Sequence, residues 1–172
     1  MLEEYANELR IPEERVAIAI GKKGTTKRLI EKKTKTKVMI SREGDVIISG
    51  ADAVMRYVAS LIIRAIGRGF NPHVALLLLD ETNALEIVEM KELSKGSQKK
   101  LIRMKSRLIG EKGKARMMLE SLTNAHISIY GKTVAIIGGV ADVLVAKQAI
   151  EKLLKGSPHG NVYRFISQHK EL

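Results

Sequence analysis

Gly21-Lys22-Lys23-Gly24 and Gly110-Glu111-Lys112-Gly113 are two copies of one short loop, 89 positions apart and each preceded by an isoleucine, Ile20 or Ile109. Glycine at both ends of a two-residue loop lets the backbone approach a sugar-phosphate chain with no Cβ in the way. A helix that starts after the loop adds unpaired N–H groups and the positive end of its dipole, both of which favour phosphate. Lys22, Lys23, Lys27 and Arg28 in one copy, and Lys112, Lys114 and Arg116 in the other, add direct charge. The chemistry of this set is a grip on a nucleic-acid backbone. A lone Gly-x-x-Gly carries little weight, but here each loop sits inside a longer repeat. Ile18, Ile20, Leu29, Ile30, Glu31, Thr34, Val38 and Ile40 in the first copy are matched at the same spacing by Arg107, Ile109, Met118, Leu119, Glu120, Thr123, Ile127 and Ile129.

The elements that must position these loops follow from pattern. Tyr5 to Ile11 reads as a strand, and Pro12 suits the first position of a helix, where its missing N–H is not needed. That helix reaches Ile20 and breaks at Gly21. A second helix begins after Gly24, with Thr25 as its cap, and ends near Thr34. Val38 and Ile40 alternate with polar residues, as do Val46 and Ile48, and Arg42-Glu43-Gly44 turns the chain between them. Ala53, Val54, Tyr57, Val58, Leu61, Ile62, Ala65 and Ile66 recur at helical spacing. The second half repeats the order: a strand over Leu85 to Met90, a helix over about Ser97 to Ile109, the loop, and a helix to Leu122. A hairpin of His126 to Tyr130 and Thr133 to Ile137 follows, one residue shorter in its turn, and then a closing helix through Leu154. Pro72 to Asp80 predicts a short bridging helix. The expected fold is α+β, with two domains over residues 1–79 and 80–172, each a three-stranded antiparallel sheet carrying three helices.

With 30 Lys and Arg against 19 Asp and Glu, the net charge is +11, which points to a polyanionic partner. Eight basic residues and one acid lie between Lys22 and Lys37, and nine basic residues and one acid between Lys95 and Arg116. A solvated helix face is the plain reading of one such run; two runs in register with the repeat favour phosphate. Asp80, Glu81, Glu86, Glu89 and Glu92 form an acidic strip, either a lock between two halves that pack as one body or a solvated strand edge.

Other classes fit less well. The absence of cysteine excludes disulfides and cysteine-based zinc sites. No apolar run approaches the ~20 residues of a membrane span, and Met1 to Tyr5 lack the plan of a signal peptide, so a cytoplasmic protein is expected. A nucleotide-binding P-loop would need glycine where Val16 and Lys105 stand, and a Lys-Ser/Thr pair after the second glycine of the motif. His73, His126, His159 and His169 form no ligand motif, so neither catalysis nor a cofactor is expected. A protein-docking scaffold remains a rival reading.

The repeat resembles the KH domain, in the type I or eukaryotic order, whose Gly-x-x-Gly loop joins two helices and clamps about four nucleotides of single-stranded RNA. The resemblance implies that bases lie in an apolar groove formed by Ile18, Leu29, Val38 and Ile40, or by Leu108, Met118, Ile127 and Ile129. It implies an RNA-binding set of Gly21, Lys22, Lys23, Gly24, Lys27 and Arg28 in one half. In the other the set is Arg107, Gly110, Glu111, Lys112, Gly113, Lys114, Arg116 and Ile129. The low aromatic content, 3%, suits such a groove better than folds that stack bases on aromatic platforms.

A closer resemblance lies in the second half. Arg107 to Lys114, Ser128 to Gly138 and Gly156 to Phe165 are similar to the archaeal and eukaryotic Dim-two family, also called partner of Nob-one. That likeness implies a tandem-KH assembly factor of the small ribosomal subunit, with RNA decay or transcription as the alternative pathways for a KH protein. It would bind the 3′ region of small-subunit rRNA and act with the Nob-one endonuclease and other assembly factors, without a membrane. The last segment is expected to be a helix packed on the closing helix through Val162, Phe165 and Ile166. Eukaryotic members have a degenerate first loop, whereas Gly21 and Gly24 are intact, so RNA binding is expected from both halves.

Overall fold

The computed structural model describes residues 5–170. The chain divides into two compact units at Glu81/Thr82.

In the first unit, β1 (Ala6–Arg10) is followed by Ile11 and Pro12 and then by α1 (Glu13–Ile20). Pro12 is the residue before the helix, at φ −58° and ψ 142°, one position earlier than expected: its fixed φ suits entry while its ψ stays extended. Then come α2 (Thr25–Thr34), β2 (Lys37–Ile40), β3 (Asp45–Ser49) and α3 (Ala53–Gly67). The strands form an antiparallel sheet in the order β1-β3-β2, with Leu9 opposite Val46 and Val38 opposite Ile48. Period-two alternation buries Val38, Val46 and Ile48 and leaves Met39 and Ile47 outside. Ile30, Ile62, Ile63 and Ile66 of the helices complete the core. Asp52 caps α3, its Oδ1 accepting from the N–H groups of Val54 (2.9 Å) and Met55 (3.2 Å). The turn between β2 and β3 needs its glycine: Gly44 has φ 94°, and a Cβ there would run into the Ile11 carbonyl oxygen. The bridging segment is α4 (Pro72–Ala75), capped by Asn71 and continued by a 3₁₀ turn over Leu76–Leu79.

The second unit has β4 (Asn83–Glu89), α5 (Lys91–Ser94), α6 (Gln98–Ile109), α7 (Lys114–Thr123), β5 (His126–Tyr130), β6 (Thr133–Gly139), α8 (Val140–Leu154) and α9 (His159–Lys170). Its sheet order, β4-β6-β5, copies the first. The single turn α5 has no counterpart in the first unit and was not expected. Strands β4 and β6 are longer than the alternation suggested, because Asn83 pairs with Gly139 and Ala84 with Gly138, where glycine hides the pattern. Leu101, Met104 and Leu108 recur at helical spacing on the buried face of α6, against Ile136, Val143, Ile150 and Leu153. Glu86 of the acidic strip pairs with Lys147 of α8 at 3.3 Å.

Helix α9 packs as the sequence implied. Val162 and Ile166 are buried, and Phe165 and Tyr163 lie half-buried against the same core. That burial raises the Tyr163 phenol pKa. The Lys152 ammonium lies 4.8 Å from the Phe165 ring centre, and Lys170 pairs with Asp142 at 3.3 Å.

Candidate nucleic-acid interface

The two loops have one backbone conformation. Gly21 lies at φ 76°, ψ 169° and Gly110 at 71°, 177°. Lys23 and Lys112 both adopt left-handed geometry, at 53°, 29° and 52°, 29°. Gly24 and Gly113 follow at 74°, 17° and 75°, 11°. A lysine at positive φ is strained by about 1 kcal/mol or more; Lys35 and Lys95 adopt the same geometry at the ends of α2 and α5, so it defines the shape of the loop and does not by itself mark a function.

The glycines of each loop differ in role. A Cβ on Gly21 would lie 2.7 Å from the Thr26 nitrogen, and one on Gly110 2.8 Å from the Ala115 nitrogen, so the first glycine lets the loop fold tightly onto the next helix. Space over the second glycine is open: a Cβ on Gly113 meets nothing within 4 Å, and one on Gly24 only the Arg28 guanidinium, at 3.7 Å. The second glycine therefore faces the side from which a ligand backbone can come. Neither α2 nor α7 has a side-chain cap, because the capping residue is Gly24 or Gly113. Thr25 is the first helical residue and does not cap α2, contrary to expectation. The N–H groups of Thr25 and Lys114 go to the Lys22 and Glu111 carbonyls, so what each helix start offers an anion is the positive end of its dipole.

Beyond the loops, the structure sorts the expected groove residues. Ile18, Leu29 and Met118 are exposed, and Ile40 and Ile129 half-buried, whereas Val38, Leu108 and Ile127 belong to the core. Met117, which the sequence reading passed over, is also exposed beside the second loop. Thr34 and Thr123, the repeated threonines, are fully buried and give their hydroxyls to the Ile30 and Leu119 carbonyls at 2.7 and 2.6 Å. They fix the ends of α2 and α7 and cannot touch a ligand.

The cations also divide. Lys22, Lys23, Arg28, Lys112 and Lys114 have no acidic partner among the described residues. Lys27 pairs with Glu31 at 2.9 Å and Arg116 with Glu120 at 3.3 Å, the same i,i+4 bridge in both units. Glu120 also accepts the Ile127 N–H at 2.9 Å, tying α7 to β5. Lys27 and Arg116 therefore offer phosphate a partly neutralised charge.

Arg107 faces inward. Its guanidinium donates to the Leu153 carbonyl and, at 2.7 Å, to the Ser157 carbonyl, closing the C-terminus of α8. The first unit does the same from a position one helical turn earlier: Arg15 donates to the Ile66 and Phe70 carbonyls, both at 2.8 Å. Because the two arginines are out of register, the repeat concealed their shared task. His159 Nε2 lies 2.8 Å from the Arg107 carbonyl oxygen, fastening α9 to the same place. Arg107→Met should lower stability by about 1–3 kcal/mol, the scale of charged hydrogen bonds, read as a fall in urea midpoint. Lost RNA affinity at unchanged stability would instead put the guanidinium on a ligand.

Among the described residues there is no group of three His, Asp or Glu side chains arranged to hold a metal ion, and no helix long and apolar enough to cross a membrane.

Comparison with known proteins agrees with this geometry. A KH-domain model matches residues 7–65, and a model described as the eukaryotic-type, type I KH domain matches residues 84–171. The chain is 42% identical to the KH domain-containing protein MJ0443 of Methanocaldococcus jannaschii, over 95% of this chain and 73% of that protein. It is 30% identical to the pre-rRNA-processing protein PNO1 of Debaryomyces hansenii, over 76% of this chain but only 50% of that protein. Among solved structures, Dim2p of Pyrococcus horikoshii is 44% identical, with a TM-score of 0.89, covering 96% of this chain and 99% of that one. A chain of the a/eIF2alpha-aDim2p-rRNA complex from the same organism is 43% identical, with a TM-score of 0.91 over 99% and 97%. Two type I KH units, their intact loops and these likenesses together show that the chain belongs to the Dim2/PNO1 family of tandem KH-domain proteins.

Proposed function

We propose that this protein is a single-stranded RNA-binding adaptor of small-subunit assembly, holding the 3′ region of small-subunit rRNA for cleavage by a partner endonuclease of the Nob-one type. The observation that carries the reading is the pair of matching glycine loops. Each is open above its second glycine, leads into a helix that no side chain caps and has exposed apolar side chains behind it. The related chain whose structure is described as a complex with rRNA supports rRNA as the ligand, and the pre-rRNA-processing relatives support the pathway.

In this reading Lys22, Lys23 and Arg28, or Lys112 and Lys114, meet phosphates, while Gly24 and Gly113 let the strand come close. Bases rest on Ile18, Leu29 and Ile40 in one groove and on Met118 and Ile129 in the other. The protein positions the strand and supplies no catalytic group; release follows competition by the maturing subunit. At near-physiological salt, an RNA copying the 3′ end of the host's small-subunit rRNA should bind more tightly than a scrambled RNA of the same composition. Equal affinity for the two would remove the assembly reading and leave nonspecific charge.

A further inference from the structure

The two units place their charge on opposite sides of the loop. In the first, residues 22–37 after the first glycine carry eight cations and one acid, net +7, while residues 6–20 before it carry Arg10 and Arg15 against Glu8, Glu13 and Glu14, net −1. In the second, the equivalent residues 111–126 hold three cations and two acids, net +1, while residues 95–109 hold six cations and no acid, net +6. The units share one fold, so the fold does not require this exchange. Of the six, Arg107 gives its side chain to the C-terminus of α8, and Arg15 performs the same task in the other unit without five accompanying charges.

The charge on α6 is also uncompensated. Lys99, Lys100 and Arg103 are exposed, and none has an acidic partner among the described residues. Lys99 and Arg103, and Arg103 and Arg107, are like charges at i,i+4, a spacing that weakens a helix. Helices α2 and α7 fill that spacing with an opposite charge instead. Beside α6 lies an open groove of about 220 Å³, where Lys100, Arg103, Arg107 and Lys155 surround Met104 and Leu154. Glu89, Glu92 and Glu151 belong to the adjoining groove, which shares Lys155 and Leu93.

We propose that the exposed face of α6, with the groove beside it, is a second RNA-backbone track in the second unit. It lies outside the glycine-loop clamp and takes phosphates of the strand that continues from it. Charge complementarity selects a polyanion. Arg103 lies seven residues before Gly110, ~10 Å along the helix at 1.5 Å per residue, so the track begins within reach of a strand leaving the loop. The inference rests on the RNA-binding reading above and extends its footprint.

The test compares an RNA of about eight nucleotides, longer than the four or so that one clamp takes, with the same RNA lengthened by ten nucleotides at either end. The variants are K99E/K100E/R103E and K99Q/K100Q/R103Q, with both loops and Arg107 intact. The glutamates at 99 and 100 lie in the first turn of α6, where negative charge suits the dipole, and those at 99 and 103 replace one like-charge i,i+4 pair by another, so the helix should persist by circular dichroism. The expected result is affinity for the short RNA within about twofold of wild type. For one lengthened RNA, the glutamate variant should lose tenfold or more and the salt slope should become shallower by about 2, for three phosphates at −0.7 each. The glutamine variant should fall between it and wild type. Equal binding of both lengthened RNAs by variant and wild type, or an equal loss on short and long RNA, overturns the track alone. Failure of the wild type to bind any of these RNAs overturns the RNA-binding reading as well.

Discussion

Gly21→Ala should destabilise the protein by about 3 kcal/mol, whereas Gly24→Ala, three residues away in the same loop, should cost only about 1 kcal/mol. Both positions have positive φ, and a Cβ in that region costs about 1–2 kcal/mol. The difference is space. The Gly21 methyl would stand 2.7 Å from the Thr26 nitrogen, a backbone atom that cannot rotate away, and overpacking of that kind adds about 1–3 kcal/mol. The Gly24 methyl meets nothing closer than the flexible Arg28 guanidinium at 3.7 Å. Gly110 and Gly113 repeat the contrast, because Ala115 crowds the first and nothing lies near the second. Urea midpoints for the four alanine variants give the comparison. RNA affinity should invert it: Gly24→Ala and Gly113→Ala leave the fold almost intact and put a methyl on the side from which the proposed strand would come. Equal stability loss at all four positions would refute the division of roles between the glycines.

The second large effect is on binding. Replacing Lys22 and Lys23 with aspartate changes the loop charge by four, while replacing Glu111 and Lys112 with aspartate changes it by two, since Glu111 is already acidic. A hydrogen bond to a charged group is worth roughly 1.5–3 kcal/mol. Each variant should therefore bind single-stranded RNA at least about tenfold more weakly, with the larger loss in the first loop. The fold should hold, because aspartate tolerates left-handed geometry better than most residues, and Lys23 and Lys112 are the residues that adopt it. Unfolding would show as a lost far-ultraviolet spectrum, so weaker binding by a folded variant is separable from collapse. Undiminished affinity in either variant would exclude that loop from the grip.

Much of the architecture was legible because the chain states it twice. The order of strands and helices, both hairpins and the break at each first glycine could be read from periodicity and turn residues. So could the packing of α9, since Val162 and Ile166 lie one helical turn apart on a single apolar face. What could not be read was the use of individual side chains. Arg107 looks like a loop cation in sequence, yet it closes the C-terminus of α8, a contact made across 46 residues. Val38, Leu108 and Ile127 were candidates for touching bases and instead fill the core. An apolar residue near a groove has the same sequence signature whether it faces in or out, and only the register of α6 and of the strands decides. The i,i+4 bridges from Lys27 to Glu31 and from Arg116 to Glu120 were open to inspection, but the net charge of the cluster hid them. α5 escaped because a single turn is too short to show a period.

If both glycine loops hold RNA by its phosphates, as proposed, the salt dependence of binding reads those contacts. Affinity for the eight-nucleotide rRNA-derived strand would be measured between about 50 and 200 mM salt for wild type, for each aspartate loop variant and for the two combined. The expected log–log slope is about −0.7 for every phosphate held, shallower in each single variant and shallowest in the combination. A flat response in the wild type, or one slope shared by all four proteins, would contradict it.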